Sequence, residues 1–117
     1  MPDYPKDVEA EIFFLSAEAG GRKTPFFSGY RPQFFYDGHD FDAIQYYPDV
    51  ERVYPGDKVR AYLAFLSPHL HVGNVGVGTM FLVREGFRTV GYGRVTQVLD
   101  LEQSARRDLG KRIHPAE

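Results

Sequence analysis

Gly20-Gly21-Arg22-Lys23-Thr24-Pro25-Phe26-Phe27-Ser28-Gly29-Tyr30-Arg31-Pro32-Gln33-Phe34 holds the signals that decide the fold. Its glycine pair ends the segment before it. The polar Arg22-Lys23-Thr24 and then Pro25 read as a loop, because glycine and proline disfavour continued strand pairing. Arg31-Pro32-Gln33-Phe34 runs on through Phe35-Tyr36 as a strand, with Pro32, which lacks an N–H, at its start or edge. Upstream, Val8 to Ser16 alternates and ends in an apolar run, the pattern of a strand with one buried end and Glu9 and Glu11 on the wet face.

Downstream, Asp37-Gly38-His39-Asp40 is a turn by composition, and Phe41 to Tyr47 is its return strand. Pro55-Gly56 pairs a fixed φ with a residue that tolerates a positive one, the type II turn arrangement. From Lys58 to Leu66 the set Val59, Ala61, Leu63, Phe65 alternates with Lys58, Arg60, Tyr62, Ala64, the clearest period of two in the chain. A loop follows at Ser67 to Asn74, after which Val75 to Val83 and Thr89 to Leu99 pair across the turn at Glu85-Gly86-Phe87. Six strands with no helical period between them predict an all-β barrel or sandwich. After it, Leu101, Ala105 and Leu109 recur every four residues, Asp100 and Gln103 imitate a capping pair, and Gly110 marks a stop. These predict a short helix that must dock its leucine face, because two or three turns are marginal alone.

With 117 residues and 43% apolar side chains, one domain with its own core is expected, without help from disulfides or metal. Ten Phe and eight Tyr with no Trp suit strands. The absence of cysteine excludes thiol chemistry and thiolate metal sites and is compatible with a reducing compartment. Neither a leader-like segment nor a long apolar run occurs, so a soluble cytoplasmic protein without a membrane is expected. A net charge of -2 offers no general attraction to polyphosphate; any nucleic-acid contact needs a local basic patch.

No loop with Gly-Lys-Ser/Thr exists to cradle a nucleotide, since Gly21-Arg22-Lys23-Thr24 has Arg where the last glycine belongs and lacks the upstream glycine, and Gly73, Gly76 and Gly78 fit no dinucleotide fingerprint. His69 and His71, with His39 elsewhere, lack an Asp, Glu or Cys at ligand spacing, so a solvated loop is the expectation and no metal is called for. Ser16, Ser28, Ser67 and Ser104 come with no base and orienting acid. Neither a catalytic constellation nor a cofactor is expected. Arg84, Glu85 and Arg88 surround one hairpin, where the carboxylate is placed to hold both guanidiniums, as a docking site or as a surface ion network.

The quoted stretch resembles, almost letter for letter, the third domain of bacterial elongation factor Tu. Arg84-Glu85-Gly86-Phe87-Arg88-Thr89-Val90-Gly91-Tyr92-Gly93-Arg94-Val95 is similar to that family's closing hairpin, R-E-G-G-R-T-V-G-A-G-V-V. The resemblance runs over residues 8–99 and implies a six-stranded antiparallel β-barrel without the GTPase domain. It divides the chain into an arm at 1–7, the barrel at 8–99 and a helical extension at 100–117 that the family lacks. In the family the equivalent hairpin and glycine pair face the GTPase domain, which implies a docking surface at Gly20, Arg84, Glu85 and Arg88. The family also touches the T stem of tRNA, which implies RNA contacts for Arg22, Lys23, Arg31 and Gln33. Asp37-Gly38-His39-Asp40-Phe41-Asp42 stands where the family has Arg-Thr-Thr-Asp-Val-Thr, so carboxylates that repel phosphate replace a cation and hydroxyls.

Phe87 replaces a glycine and Tyr92 a small residue, either as a new interface or as cover for barrel surface or the added helix. The loop from His69 to Gly78 is longer than the family's. Two functions follow. The first is a non-catalytic protein-binding module related to elongation factor Tu, a mimic, decoy or subunit in translation, docking through Gly20, Arg84, Glu85, Phe87 and Arg88. Its partner would be a GTPase subunit, the exchange factor, or a regulator that recognises the factor. The second is an RNA-binding accessory protein using Arg22, Lys23, Arg31 and Gln33, helped by Arg106, Arg107, Lys111 and Arg112.

Overall fold

The computed structural model describes residues 4–113, with side chains to Lys111. Six strands close into a barrel: β1 (Val8–Phe14), β3 (Gln33–Tyr36), β4 (His39–Tyr46), β6 (Lys58–Phe65), β7 (Met80–Glu85) and β8 (Arg88–Val98). Going around it, the order is β1-β6-β4-β3-β7-β8, every neighbour antiparallel. The two remaining short strands, β2 (Phe26–Phe27) and β5 (Arg52–Val53), pair separately. With two residues each, they are too short to show a period in the sequence.

The period of two in β6 sets its face. Val59, Ala61, Leu63 and Phe65 are buried, and they join Val8, Ala10, Ile12 and Phe14 of β1 in one core. Aromatic packing fills the rest: Phe34 stacks on Phe81 at 4.2 Å, and Phe14 stacks on Phe26 at 4.0 Å. Complete closure leaves the barrel itself no edge strand.

Two boundaries differ from the sequence reading. The turn before β4 is only Asp37-Gly38, both with positive φ, and the return strand starts at His39. Two such residues make a hairpin turn whose twist matches its strands. Val75 to Thr79 is a turn rather than the start of a strand: Val75 N–H bonds to His71 O at 2.9 Å, and Gly78 N–H reaches across to Val95 O at 2.8 Å. At the β7–β8 hairpin, Gly86 alone has positive φ, the placement a type II′ turn requires at its first central residue.

The helix α1 (Leu101–Ile113) packs against a 3₁₀ turn at Pro68–Leu70. Its buried residues are Leu101, Ser104 and Ala105, whereas Leu109 is 42% exposed, so the expected leucine face is corrected. Gly110 does not stop it either. It lacks the positive φ of a C-terminal cap, and the helix runs on to Ile113. Asp100 starts the helix, its carbonyl accepting Ser104 N–H at 2.8 Å, but its carboxylate takes the Lys6 N–H of the arm at 3.2 Å instead of pairing with Gln103. The arm and α1 meet at Asp7, which is fully buried: its carboxylate accepts Phe65 N–H at 2.9 Å and the Ser104 hydroxyl.

The solvated reading of His69 and His71 is also corrected. His71 is fully buried among Phe65, Phe41 and Tyr36, its Nδ1 2.7 Å from the Tyr36 hydroxyl. His69 bonds through Nδ1 to Asp108 of α1. The longer loop therefore serves as the seat of the added helix.

Candidate partner-binding surface

One end of the barrel gathers residues from three separated segments. Gly21 N–H bonds to Ser16 O at 2.8 Å and closes a tight loop after β1. The approach is so close that a Cβ on Gly21 would lie 2.2 Å from Leu15 O. Only glycine fits there. This turns the carbonyls of Gly20 and Gly21 toward the β7–β8 hairpin, where Arg88 Nε donates to Gly20 O at 3.2 Å and Arg88 Nη2 donates to Gly21 O.

Glu85 holds neither Arg84 nor Arg88, contrary to the sequence reading. Adjacent strand residues point to opposite faces, so one carboxylate at 85 cannot share a side with residue 84. Its Oε2 instead accepts Arg22 Nη1 at 2.9 Å and the Tyr30 hydroxyl at 2.5 Å. Arg22 also donates from Nε to Thr24 Oγ1 at 2.7 Å and from Nη2 to Pro25 O at 3.2 Å, and its plane lies over Phe26 at 4.7 Å. Burial, with the Glu85 charge beside it, pushes the Tyr30 hydroxyl well above its ordinary range, which keeps it a donor. Arg84 leans the other way, stacked on Phe35 at 4.5 Å, with Asp40 Oδ2 3.7 Å from its Nη1.

Glu85→Gln is therefore expected to cost about 1–2 kcal/mol, discounted because both side chains of the ion pair are partly exposed. In double-mutant cycles by urea unfolding, Arg22 and Glu85 should couple while Arg84 and Glu85 should not. A larger Arg84–Glu85 term would contradict the geometry.

Phe87, at the tip of this braced hairpin, is 95% exposed. It covers neither the barrel nor α1. Tyr92, 43% exposed, lies along the barrel side and stacks on Phe13 at 5.4 Å. Gly20, Glu85, Phe87 and Arg88 are thus brought to one end, and Arg84 flanks them, its guanidinium 6.0 Å from the Phe87 ring.

The four residues considered for RNA are not gathered in the same way. Arg22 is used within the fold, and Arg31 has Asp42 at 3.8 Å. Gln33 is half-buried on β3, directly between Arg84 and Asp42 in the sheet register. Lys23 is exposed and has no ion-pair partner among the described residues. In the extension, Arg106 pairs with Glu102 at 2.5 Å, while the Arg112 side chain lies outside the described residues. The Arg22–Tyr30–Glu85 cluster escaped the sequence reading because its members are up to 63 residues apart and follow no motif.

The chain is thus a closed six-stranded antiparallel barrel followed by one helix, with Arg22, Tyr30 and Glu85 bracing one barrel end. The chain belongs to the elongation factor Tu C-terminal domain family, whose model matches residues 2–99. That family's barrel is a non-catalytic domain, and it ties the chain to translation elongation factors and to protein contacts of the translation machinery. The helix α1 lies beyond the matched residues. Among the described residues no helix is long and apolar enough to cross a membrane.

Proposed function

We propose that this barrel is a non-catalytic protein-binding module of the cytoplasmic translation machinery, acting as a mimic, decoy or subunit of the elongation factor. It docks a protein partner through the barrel end formed by Gly20, Arg84, Glu85, Phe87 and Arg88. The observation that carries this reading is Phe87: an aromatic ring 95% exposed on a two-residue turn. Such a ring held on a rigid base is the typical anchor of a protein interface, since little freedom is lost when it is buried. The base is rigid here because Glu85 and Arg88 on either side of the turn are each bonded to the loop of residues 20–22.

Affinity capture from host lysate, with and without ribonuclease, tests it. A defined translation protein should be recovered in both conditions and lost at least about thirtyfold with Phe87→Ala. The melting temperature of that variant should match wild type. Recovery of tRNA instead, abolished by Lys23→Ala/Arg31→Ala and by ribonuclease, would replace this reading with the RNA-binding one.

A further inference from the structure

Of the eight serine and threonine side chains, Thr24 alone is exposed; six are half-buried and Ser104 is buried. Several of the others are occupied in holding backbone. Ser16 Oγ accepts Ala19 N–H at 3.2 Å, Ser28 Oγ accepts Tyr47 N–H at 2.9 Å, and Thr79 Oγ1 accepts Gly76 N–H at 2.9 Å. The segment that carries Thr24 is also free to be gripped. Among the described residues, residues 22–25 make no backbone–backbone hydrogen bond, so an enzyme can pair with this stretch in extended form without unfolding any of the barrel.

The groups around this hydroxyl suit a phosphoryl group. Thr24 Oγ1 lies 2.7 Å from Arg22 Nε, and the adjacent Lys23 is exposed. A phosphate on this oxygen carries about two negative charges and three strong acceptors, and the Nε and Nη2 side of a guanidinium receives it through two parallel bonds. That side of Arg22 is now divided between Thr24 Oγ1 and Pro25 O. Its other nitrogen, Nη1, is the one that holds Glu85.

We propose that Thr24 is a phosphorylation site, modified by a protein kinase with a nucleoside triphosphate as donor, and that the phosphate regulates the docking end by drawing Arg22 from Glu85. Oγ1 forms the new bond to the γ-phosphorus, the bond from that phosphorus to the bridging oxygen breaks, the nucleoside diphosphate leaves, and the hydroxyl proton passes to the kinase's base. The dianion competes with Glu85 for one guanidinium and repels its carboxylate. Tyr30 still donates to Glu85, but the ion pair that ties Arg22 to the hairpin beneath Phe87 is lost. Arg88, bonded to the carbonyls of Gly20 and Gly21, is then the remaining tie between loop and hairpin. The regulatory half of the proposal rests on the docking reading above, whereas the site itself does not.

Incubation of the full chain in host lysate with γ-labelled ATP, followed by phosphopeptide mass spectrometry, is the test. Label is expected on Thr24, to be kept by Thr24→Ser and to disappear in Thr24→Val, with circular dichroism melts confirming that both variants fold. No label, or label that persists in Thr24→Val, overturns the site. The second measurement needs no partner: in double-mutant cycles by urea unfolding, the Arg22–Glu85 coupling should fall by about half or more in the phosphorylated chain. An unchanged coupling overturns the regulation. Capture through Phe87 should be about tenfold weaker for the phosphorylated form, and equal capture by both forms also overturns the regulation. A chain that is labelled on Thr24 and loses its coupling, yet captures no protein, supports the site and refutes the docking reading alone.

Discussion

Gly21→Ala is expected to destabilise the barrel by about 3–5 kcal/mol, whereas Gly20→Ala, one residue earlier, should cost about 1–2 kcal/mol. The two glycines are required for different reasons. Gly20 has φ +94° and open space around it, so alanine there meets only backbone strain. Gly21 is crowded: its Cβ would lie 2.2 Å from Leu15 O, 2.7 Å from Leu15 C and 2.8 Å from Ser16 O. All three are backbone atoms, so no side chain can move aside. Relief requires shifting the whole loop, which also withdraws the Gly21 carbonyl from Arg88 and disturbs the seat of Arg22. Urea unfolding of both variants measures the difference. A Gly21→Ala cost equal to or below that of Gly20→Ala would show that the loop relaxes freely and does not brace the barrel end.

The second large effect is with pH, and two buried groups oppose each other in it. Burial, with His69 close by, pulls the His71 imidazole down to about 4 from an ordinary 6.5. It is therefore neutral in the folded chain where the unfolded chain already begins to take up a proton. The stability it contributes is complete above pH 6.5 and is lost as the pH falls toward 4, to roughly 3 kcal/mol in all. Asp7 acts with the other sign. Burial raises its carboxyl above the ordinary 3.8, against the hydrogen bonds from Ser104 and Phe65 that lower it. Its contribution is complete below about 3.8 and is lost as the pH rises through its folded value.

Acidification should thus weaken the fold through His71 and partly restore it through Asp7. Urea midpoints between pH 7 and pH 4 separate the two. His71→Phe, which keeps a ring among Phe41 and Phe65, should flatten the acid loss, and Asp7→Asn should steepen it. An unchanged slope in His71→Phe would mean that the imidazole charges without leaving its pocket.

These two groups also mark where sequence reading stops. His69-Leu70-His71 has the local composition of a loop, and nothing nearby announces that Phe41, Phe65 and Tyr36 will surround one of its rings. Asp7 belongs to a polar arm, and its partners Phe65 and Ser104 are 58 and 97 residues away. The leucine spacing of the extension foretold a helix, but its docking face is Leu101, Ser104 and Ala105, with Leu109 turned outward. Periodicity says which residues can share a helix face; the shape of the Pro68–Leu70 seat selects among them.

The strands themselves were open to reading because their information is local. Alternation in Lys58 to Leu66, the glycine and proline turns and the closing hairpin motif each act over a few residues, and the family's sequence blocks order them along the barrel. That Gly20 lies beside Arg84, Glu85 and Arg88 was implied by the family resemblance and not by any local signal, since Gly20 and Arg88 are 68 residues apart. Which atom holds which could be named from neither. Glu85 chose Arg22 and Tyr30 over its sequence neighbours because strand alternation sends residues 84 and 85 to opposite sides, and only barrel closure brings the loop of residues 20–30 to the second of them. Short-range signals specify elements, whereas hydrogen-bond partners and buried charges arise from contacts between segments far apart in the chain.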